Sequence, residues 1–212
     1  VMIIMALDHV RDFFHASAMT FSPTDLRQTT PVLFFTRWIT QFCLPVFVFT
    51  AITYQAYNLW GGANLYSYAG PKANRVSFER PYDQAGGRGF WTKSDDRILA
   101  WLQRRVHLQY TTDYDLSIAP PVSVPRLLVF PRHTEYVPGT MRDWLDRHVD
   151  DLGYMNLLSF GANGFYWQVR LAAPRTAGAP MDIVCYKSAA ADPEASAHPE
   201  LATVRWQDPP VN

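Results

Sequence analysis

Cysteine is scarce. Cys43 and Cys185 are the only two in 212 residues, far apart and in no CxxC pattern. That excludes a disulfide framework and a zinc site built on cysteine alone, and both are expected to be buried thiols of an intracellular protein. An excess of one charge is missing too, because nineteen basic residues offset nineteen acidic ones. Without a basic footprint, nucleic acid is not an expected partner. There is no phosphate-binding glycine loop either: Gly86-Gly87-Arg88-Gly89 is not GxGxxG, opens no helical pattern and reads as a flexible loop. No secretory leader is visible. The chain starts at Val1 inside an apolar run, so further sequence upstream is expected.

What is present is apolar and aromatic. Apolar residues make up 48% and aromatics 15%, a globular composition with material for a core or an aromatic-lined pocket. The length suits one domain, or one domain plus a fragment. Two stretches of different character divide near residue 46. In residues 1–46, Val1 to Leu7 is apolar and ends in Asp8, His9, Arg11 and Asp12; a second apolar run covers Pro31 to Ile52. That run is long enough to cross a bilayer but carries Arg37 and Gln41, and an arginine inside a span is costly. A buried helix leading into strand-like VFVFTAI fits the pattern equally well.

Residues 47–212 carry an α/β pattern. Ile98, Leu99, Trp101, Leu102 and Val106 recur at helical spacing behind Ser94 as N-cap, and Val106 to Tyr110 is then strand-like. RLLVF (126–130) and NLLSF (156–160) are short apolar runs suited to buried strands. Between them Thr140 to Leu152 predicts a helix, with Thr140 and Asp143 as a capping box and Gly153 at the C-cap. Strand, helix, strand at this spacing predicts a mostly parallel sheet with flanking helices. The tail from Ala172 is rich in Ala, Pro and Gly and reads as an incomplete end.

Open parallel sheets bind ligands at the carboxyl ends of their strands, which selects residues directly. Arg132, His133, Glu135 and Tyr136 follow RLLVF; Gly161, Ala162 and Asn163 follow NLLSF; Tyr54, Tyr57, Asn58 and Tyr66 follow strand-like VFVFTAITY. If those strands are neighbours, the loops face one crevice with the makings of a metal or acid–base site. Each piece has a plainer reading. His-x-Glu also suits a hydrogen-bonded surface loop, clustered tyrosines suit a core, and Gly-Ala-Asn suits a turn. Asp113 and Asp115 are expected to be solvated, and His107, His148 and His198 have no evident partner.

Two resemblances bear on these pieces. MALDHVRDFFH and PTDLRQTTPVLFFTRWITQFCLPVFVF resemble the first membrane helices of bacterial relatives of heparan-α-glucosaminide N-acetyltransferase. The likeness covers about fifty residues, and no further run of spanning length follows Tyr57. TYQAYNLWGGANLYSY, VSFERPY, YTTDYDL, RHTEY, LLSFGANGFYWQVRL and VCYKS resemble, in that order, the large (beta) subunit of N,N-dimethylformamidase over roughly Phe47 to Asn212. An abrupt change between two such likenesses also fits a chimeric join near Pro45 to Thr53.

The second resemblance implies a glutamine-amidotransferase-like (flavodoxin-like) α/β domain, here incomplete, holding one Fe3+ through two tyrosines and a glutamate. Glu135 matches the glutamate ligand and Tyr66 one tyrosine; the other comes from TYQAY, where Tyr57 is favoured over Tyr54. His133 lies beside the metal and Asn163 lines the site, giving His133, Glu135 and Asn163 as the catalytic set. The implied activity is hydrolysis of a linear amide C–N bond, with iron as Lewis acid toward carbonyl and water and His133 moving the proton. A small amide substrate, a small subunit and homo-oligomerisation follow as expected partners. The expected location is the cytoplasm, with a membrane involved only through residues 1–46. Arg132 and Val137 stand where the family usually has Gly and Trp, which puts the pocket wall in question. The competing readings are a non-catalytic α/β domain with Arg132 in place of the ion, and a fragment of the membrane acyltransferase relative.

Overall fold

The computed structural model describes residues 44–66, 71–83, 95–121, 124–172 and 181–211. The chain divides into two units, Val1–Leu44 and Pro45–Asn212, and every described element lies in the second. Expectations for the apolar segment, for Cys43, for Ser94 as N-cap and for the Gly86–Gly89 loop concern residues outside those described. No helix of the described residues is long and apolar enough to cross a membrane.

In chain order the first elements are β1 (Val46–Phe49), α1 (Ala51–Tyr57), β2 (Arg75–Ser77), α2 (Asp95–Gln103), β3 (Gln109–Thr112) and α3 (Asp113–Ile118). They are followed by β4 (Leu127–Phe130), β5 (Tyr136–Pro138), α4 (Gly139–Asp146), β6 (Asn156–Ser159), β7 (Trp167–Ala172) and β8 (Asp182–Val184). Four strands form a wholly parallel sheet in the order β3-β1-β4-β6. A second sheet runs β2-β8-β7-β5, antiparallel except for the β5–β7 pair. The strands RLLVF and NLLSF are thus present, as the sequence predicts, and lie side by side.

Alternation along the central strands explains why they read as unbroken apolar runs. Val46, Val48, Leu128 and Phe130 join one core with Leu116, Met141 and Leu145 of the covering helices. Phe47 and Val129 point the other way and are equally buried. Both faces are covered, so neither can carry polar residues. A second core gathers Ile52, Leu65, Tyr136, Val169 and Ile183 between α1 and the second sheet.

Several local expectations are corrected. VFVFTAITY is strand only to Phe49; Ala51–Tyr57 is helix. The Asp113 carboxyl accepts the Ile52 N–H at 3.1 and 3.3 Å from its two oxygens, satisfying a helix-start donor that the side chain of the N-cap residue, Thr50, leaves uncapped. β3 begins at Gln109 rather than Val106, because the Leu102 carbonyl still accepts from Arg105 and Val106 N–H at 2.8 and 2.9 Å. The Thr140/Asp143 capping box is not formed. Pro138 occupies the N-cap, and the Thr140 hydroxyl donates instead to the Ser117 carbonyl at 2.8 Å. Past α4 one π-helical turn runs to Asp151, and Gly153 takes φ +64°, in keeping with its predicted place at the helix end.

The tail is built in. Asp192 accepts from the Arg170 guanidinium at 2.7 Å on both oxygens and from Thr203, and Ala202 and Val204 are buried. His148 Nδ1 lies 2.6 Å from the Trp144 carbonyl, and His198 is an exposed neighbour of Glu200.

Candidate metal centre and active site

The strand order reverses between β1 and β4. From β1 the chain goes to β3 on one side, then crosses to β4 on the other. Such a reversal opens a crevice at the carboxyl ends of the two strands, and α1 and the 131–135 segment are the chains that leave there.

Three residues of α1 engage that segment. Thr53 Oγ1 accepts from the N–H groups of Glu135 and Tyr136 at 3.1 and 3.2 Å. The Tyr54 hydroxyl donates to Asp95, whose other oxygen accepts from Arg132 N–H at 3.3 Å. The Tyr57 hydroxyl donates to Glu135 Oε2. Glu135 is buried and Tyr57 half-buried. Tyr66 comes in past the turn at Trp60–Gly62, with its ring centroid 5.1 Å from that of Tyr57, and is 44% exposed. The His133 ring lies 6.4 Å from the Tyr57 ring and is half-buried. Tyr66, His133 and Glu135 therefore lie around Tyr57. Tyr54 does not join them.

Asn163 is placed less directly. It is exposed, with φ +54°, and none of the described contacts joins its side chain to Glu135 or the tyrosines. Its loop is stitched to the site all the same. Phe165 N–H donates to the Thr134 carbonyl at 2.7 Å, and Tyr166 and Trp167 N–H donate to the Glu135 carbonyl at 3.1 and 2.8 Å. Gly161 lies so close to Arg132 that a Cβ there would sit 1.3 Å from the Arg132 carbonyl oxygen. Arg132 itself is exposed.

Two side chains near the site were given no role by the sequence. Lys187, held at φ +63°, donates from Nζ to the Tyr136 hydroxyl at 2.7 Å. Its Nζ lies 5.0 Å from the ring centroids of Tyr66 and Tyr136 and 4.8 Å from that of Trp167, within cation–π range of all three. Burial lowers its pKa from the ordinary lysine value, opposed by the charges of Cys185 and Glu135. Burial likewise raises the Tyr136 and Tyr54 phenols far above the usual range, Glu135 adding to the first effect and Asp95 to the second. The strand-end rule passes over Lys187 because β8 runs antiparallel to its neighbours. Asp95, the other side chain without an assigned role, opens a helix and looks like a surface carboxylate, yet it is buried.

The expectation that Asp113 is solvated is wrong. It is wholly buried, and burial pushes its pKa up to about 8 despite the amide hydrogen bonds from Ile52 and its neighbours. Asp115 is exposed, and Thr112 caps that helix: its Oγ1 accepts from Asp115 N–H at 2.9 Å and donates to the Asp115 carboxylate at 2.7 Å.

A family profile described as "N,N-dimethylformamidase beta subunit-like, C-terminal" matches residues 27–212. The chain belongs to that family. No curated protein matches the sequence. The match begins upstream of the division drawn at residue 46.

The donor set of this dimethylformamidase-like chain can be tested against a metal. Among the described residues no three His, Cys, Asp or Glu side chains group as ligands, so a metal in this crevice would draw on phenols. Tyr57, Tyr66 and Glu135 are hard oxygen donors from three separate segments, a set that suits a hard, highly charged ion.

Proposed function

We propose that the Tyr57–Tyr66–Glu135 cluster is the active centre of a hydrolase that cleaves a linear amide C–N bond, with one iron ion held by the two phenolates and the carboxylate. The observation that carries this reading is the hydrogen bond from Tyr57 to buried Glu135, beside the Tyr66 ring, where the parallel sheet reverses. Family membership supports a dimethylformamidase-like hydrolase. When bound, the iron supplies Lewis acidity toward the amide carbonyl and toward water.

The protein's own groups do the rest. Glu135 and Tyr57 share a hydrogen in the metal-free state and release it as they become ligands. His133, at the edge of the cluster, takes a proton from the attacking water and returns it to the departing amine. Lys187 closes one side of the cluster, its Nζ 5.0 Å from the ring centroids of Tyr66 and Tyr136 and hydrogen-bonded to the Tyr136 hydroxyl. Exposed Tyr66 leaves one side of the site open, as a small amide requires.

The order β3-β1-β4-β6 supports a glutamine-amidotransferase-like (flavodoxin-like) domain, since its parallel strands follow second-first-third-fourth in chain order. The words "beta subunit" in the family description support a partner subunit, and we extend the proposal to a small subunit, a homo-oligomer and a cytoplasmic location.

Iron content and a visible spectrum of the purified chain, followed by an amide hydrolysis screen, test the reading. Near one iron per chain with a tyrosinate-to-iron charge-transfer band is the expected result. A folded protein that takes up no iron on reconstitution would overturn it.

A further inference from the structure

Arg80 lies outside the cluster, yet its guanidinium gathers the chain that joins the two tyrosines. Nη1 donates to the carbonyls of Asn58 at 3.3 Å, Trp60 at 3.2 Å and Ala63 at 2.9 Å. Nη2 donates to the Gln55 carbonyl at 2.7 Å, and Nε to the Ser77 carbonyl at 3.2 Å. Gln55 answers with its side-chain amide on the Arg80 carbonyl at 3.0 Å. The last carbonyls of a helix have no partners inside it, and a cation there also complements the helix dipole. One planar fork thus serves the end of α1 and the whole bend that follows it.

Asn58 and Leu65 anchor the two ends of that bend in buried surroundings, but packing does not shape its tip. Trp60, Gly61 and Gly62 are exposed, and a Cβ on either glycine would meet nothing within 4 Å. Both glycines take positive φ, +79° and +82°, where backbone freedom is greatest. Tyr57 lies just before the bend and Tyr66 just after it. Their 5.1 Å ring spacing needs the intervening turn to hold one shape, and Arg80 is the side chain that binds it at several carbonyls together.

We propose that Arg80 is a positioning residue for the tyrosine pair, holding the turn between Tyr57 and Tyr66 so that both phenols are in place before a metal arrives. This rests on the reading of the pair as metal donors. The contribution is pre-organisation, because a donor set already assembled spends less binding energy on ordering itself.

The test is Arg80→Lys in the full chain, since lysine keeps the charge but loses the planar fork. Three quantities are read under conditions where wild type and variant are both folded by circular dichroism: iron affinity by chelator competition, the tyrosinate-to-iron band, and amide hydrogen exchange of residues 59–66 in metal-free protein. The inference expects affinity at least about ten-fold weaker, a shifted or weakened band, and exchange at least about ten-fold faster in that segment. A variant with a lower Tm but wild-type affinity, band and exchange would overturn it. Should Arg80→Lys not fold, Arg80→Gln is read the same way; failure of both to fold assigns the arginine to the fold and also overturns the inference. A wild type that binds no iron defeats the metal reading of the site, and the exchange measurement alone then decides the role of Arg80.

Discussion

Tyr57 donates its hydroxyl hydrogen to Glu135, 78 residues further along the chain. The contact exists because β1 and β4 are adjacent and parallel, so the chains leaving them emerge at the same end of the sheet. Tyr54 and Tyr57 are three apart on one short helix and share a side of it. Their partners separate them: Asp95 takes the first phenol and Glu135 the second.

That division predicts different fates for two phenylalanine substitutions. Tyr57→Phe removes a proposed ligand and should weaken iron binding by more than about a hundred-fold, beyond what the loss of an outer-sphere partner costs. Tyr54→Phe should keep iron and its absorption band, at a stability cost of about 1–3 kcal/mol for the hydrogen bond lost to buried Asp95. Iron per chain and the visible spectrum distinguish the two. The assignment is lost if Tyr54→Phe abolishes the band while Tyr57→Phe retains it.

Much of this arrangement was legible in the sequence, for physical reasons. RLLVF and NLLSF stand out because strands buried on both faces are apolar without a break, and the strand-end rule then leads to His133 and Glu135. The conversion of AITYQAY to helix was not legible, because β-branched Ile52 and Thr53 favour strand and the capping carboxylate comes from Asp113, 61 residues away. Asp113 itself looked like a surface residue for the same reason: its partner is the end of another element. Arg80 could not be read either, since its acceptors are backbone carbonyls and leave no mark on side-chain pattern.

Metal uptake should depend on pH. The hydroxyl of Tyr57 is protonated in the hydrogen bond to Glu135, and a phenolate ligand must lose that proton. Apparent iron affinity should therefore rise as pH rises over the range where the metal stays soluble, with protons released to the medium. Calorimetric titration in buffers of different ionisation enthalpy measures the release directly. Zero protons released would contradict phenolate ligation by Tyr57.

Asp113 gives stability a pH dependence of the less common sign. In the unfolded chain its carboxyl ionises near 3.8, whereas in the fold burial raises the value to about 8. Between those values the native state keeps a proton that the unfolded chain has given up, so this group's contribution is intact below about pH 4 and declines as pH rises toward 8. Asp113→Asn can still accept the Ile52 N–H and has no charge to bury. Its stability relative to wild type should improve steadily from pH 5 to pH 8. Urea midpoints at the two pH values check this, and parallel behaviour of the two proteins would refute it.

Gly161 ties the loop after β6 to the loop that carries His133 and Glu135. A Cβ at that position would fall 1.3 Å from the Arg132 carbonyl oxygen and 2.2 Å from its carbon. The obstacle is backbone, and it belongs to a segment held on its other side by Asp95 at Arg132 N–H and by Thr53 at Glu135 N–H. It cannot yield without moving His133 and Glu135. Gly161→Ala should therefore cost about 1–3 kcal/mol or more, as overpacking does, and should also weaken iron binding. Gly164→Ala is the control, because its nearest neighbour is the Ser159 hydroxyl at 4.0 Å. Thermal unfolding and iron titration of the two variants side by side test the difference. If Gly161→Ala matches Gly164→Ala in both, the two loops are not in the contact that places Glu135 against Tyr57.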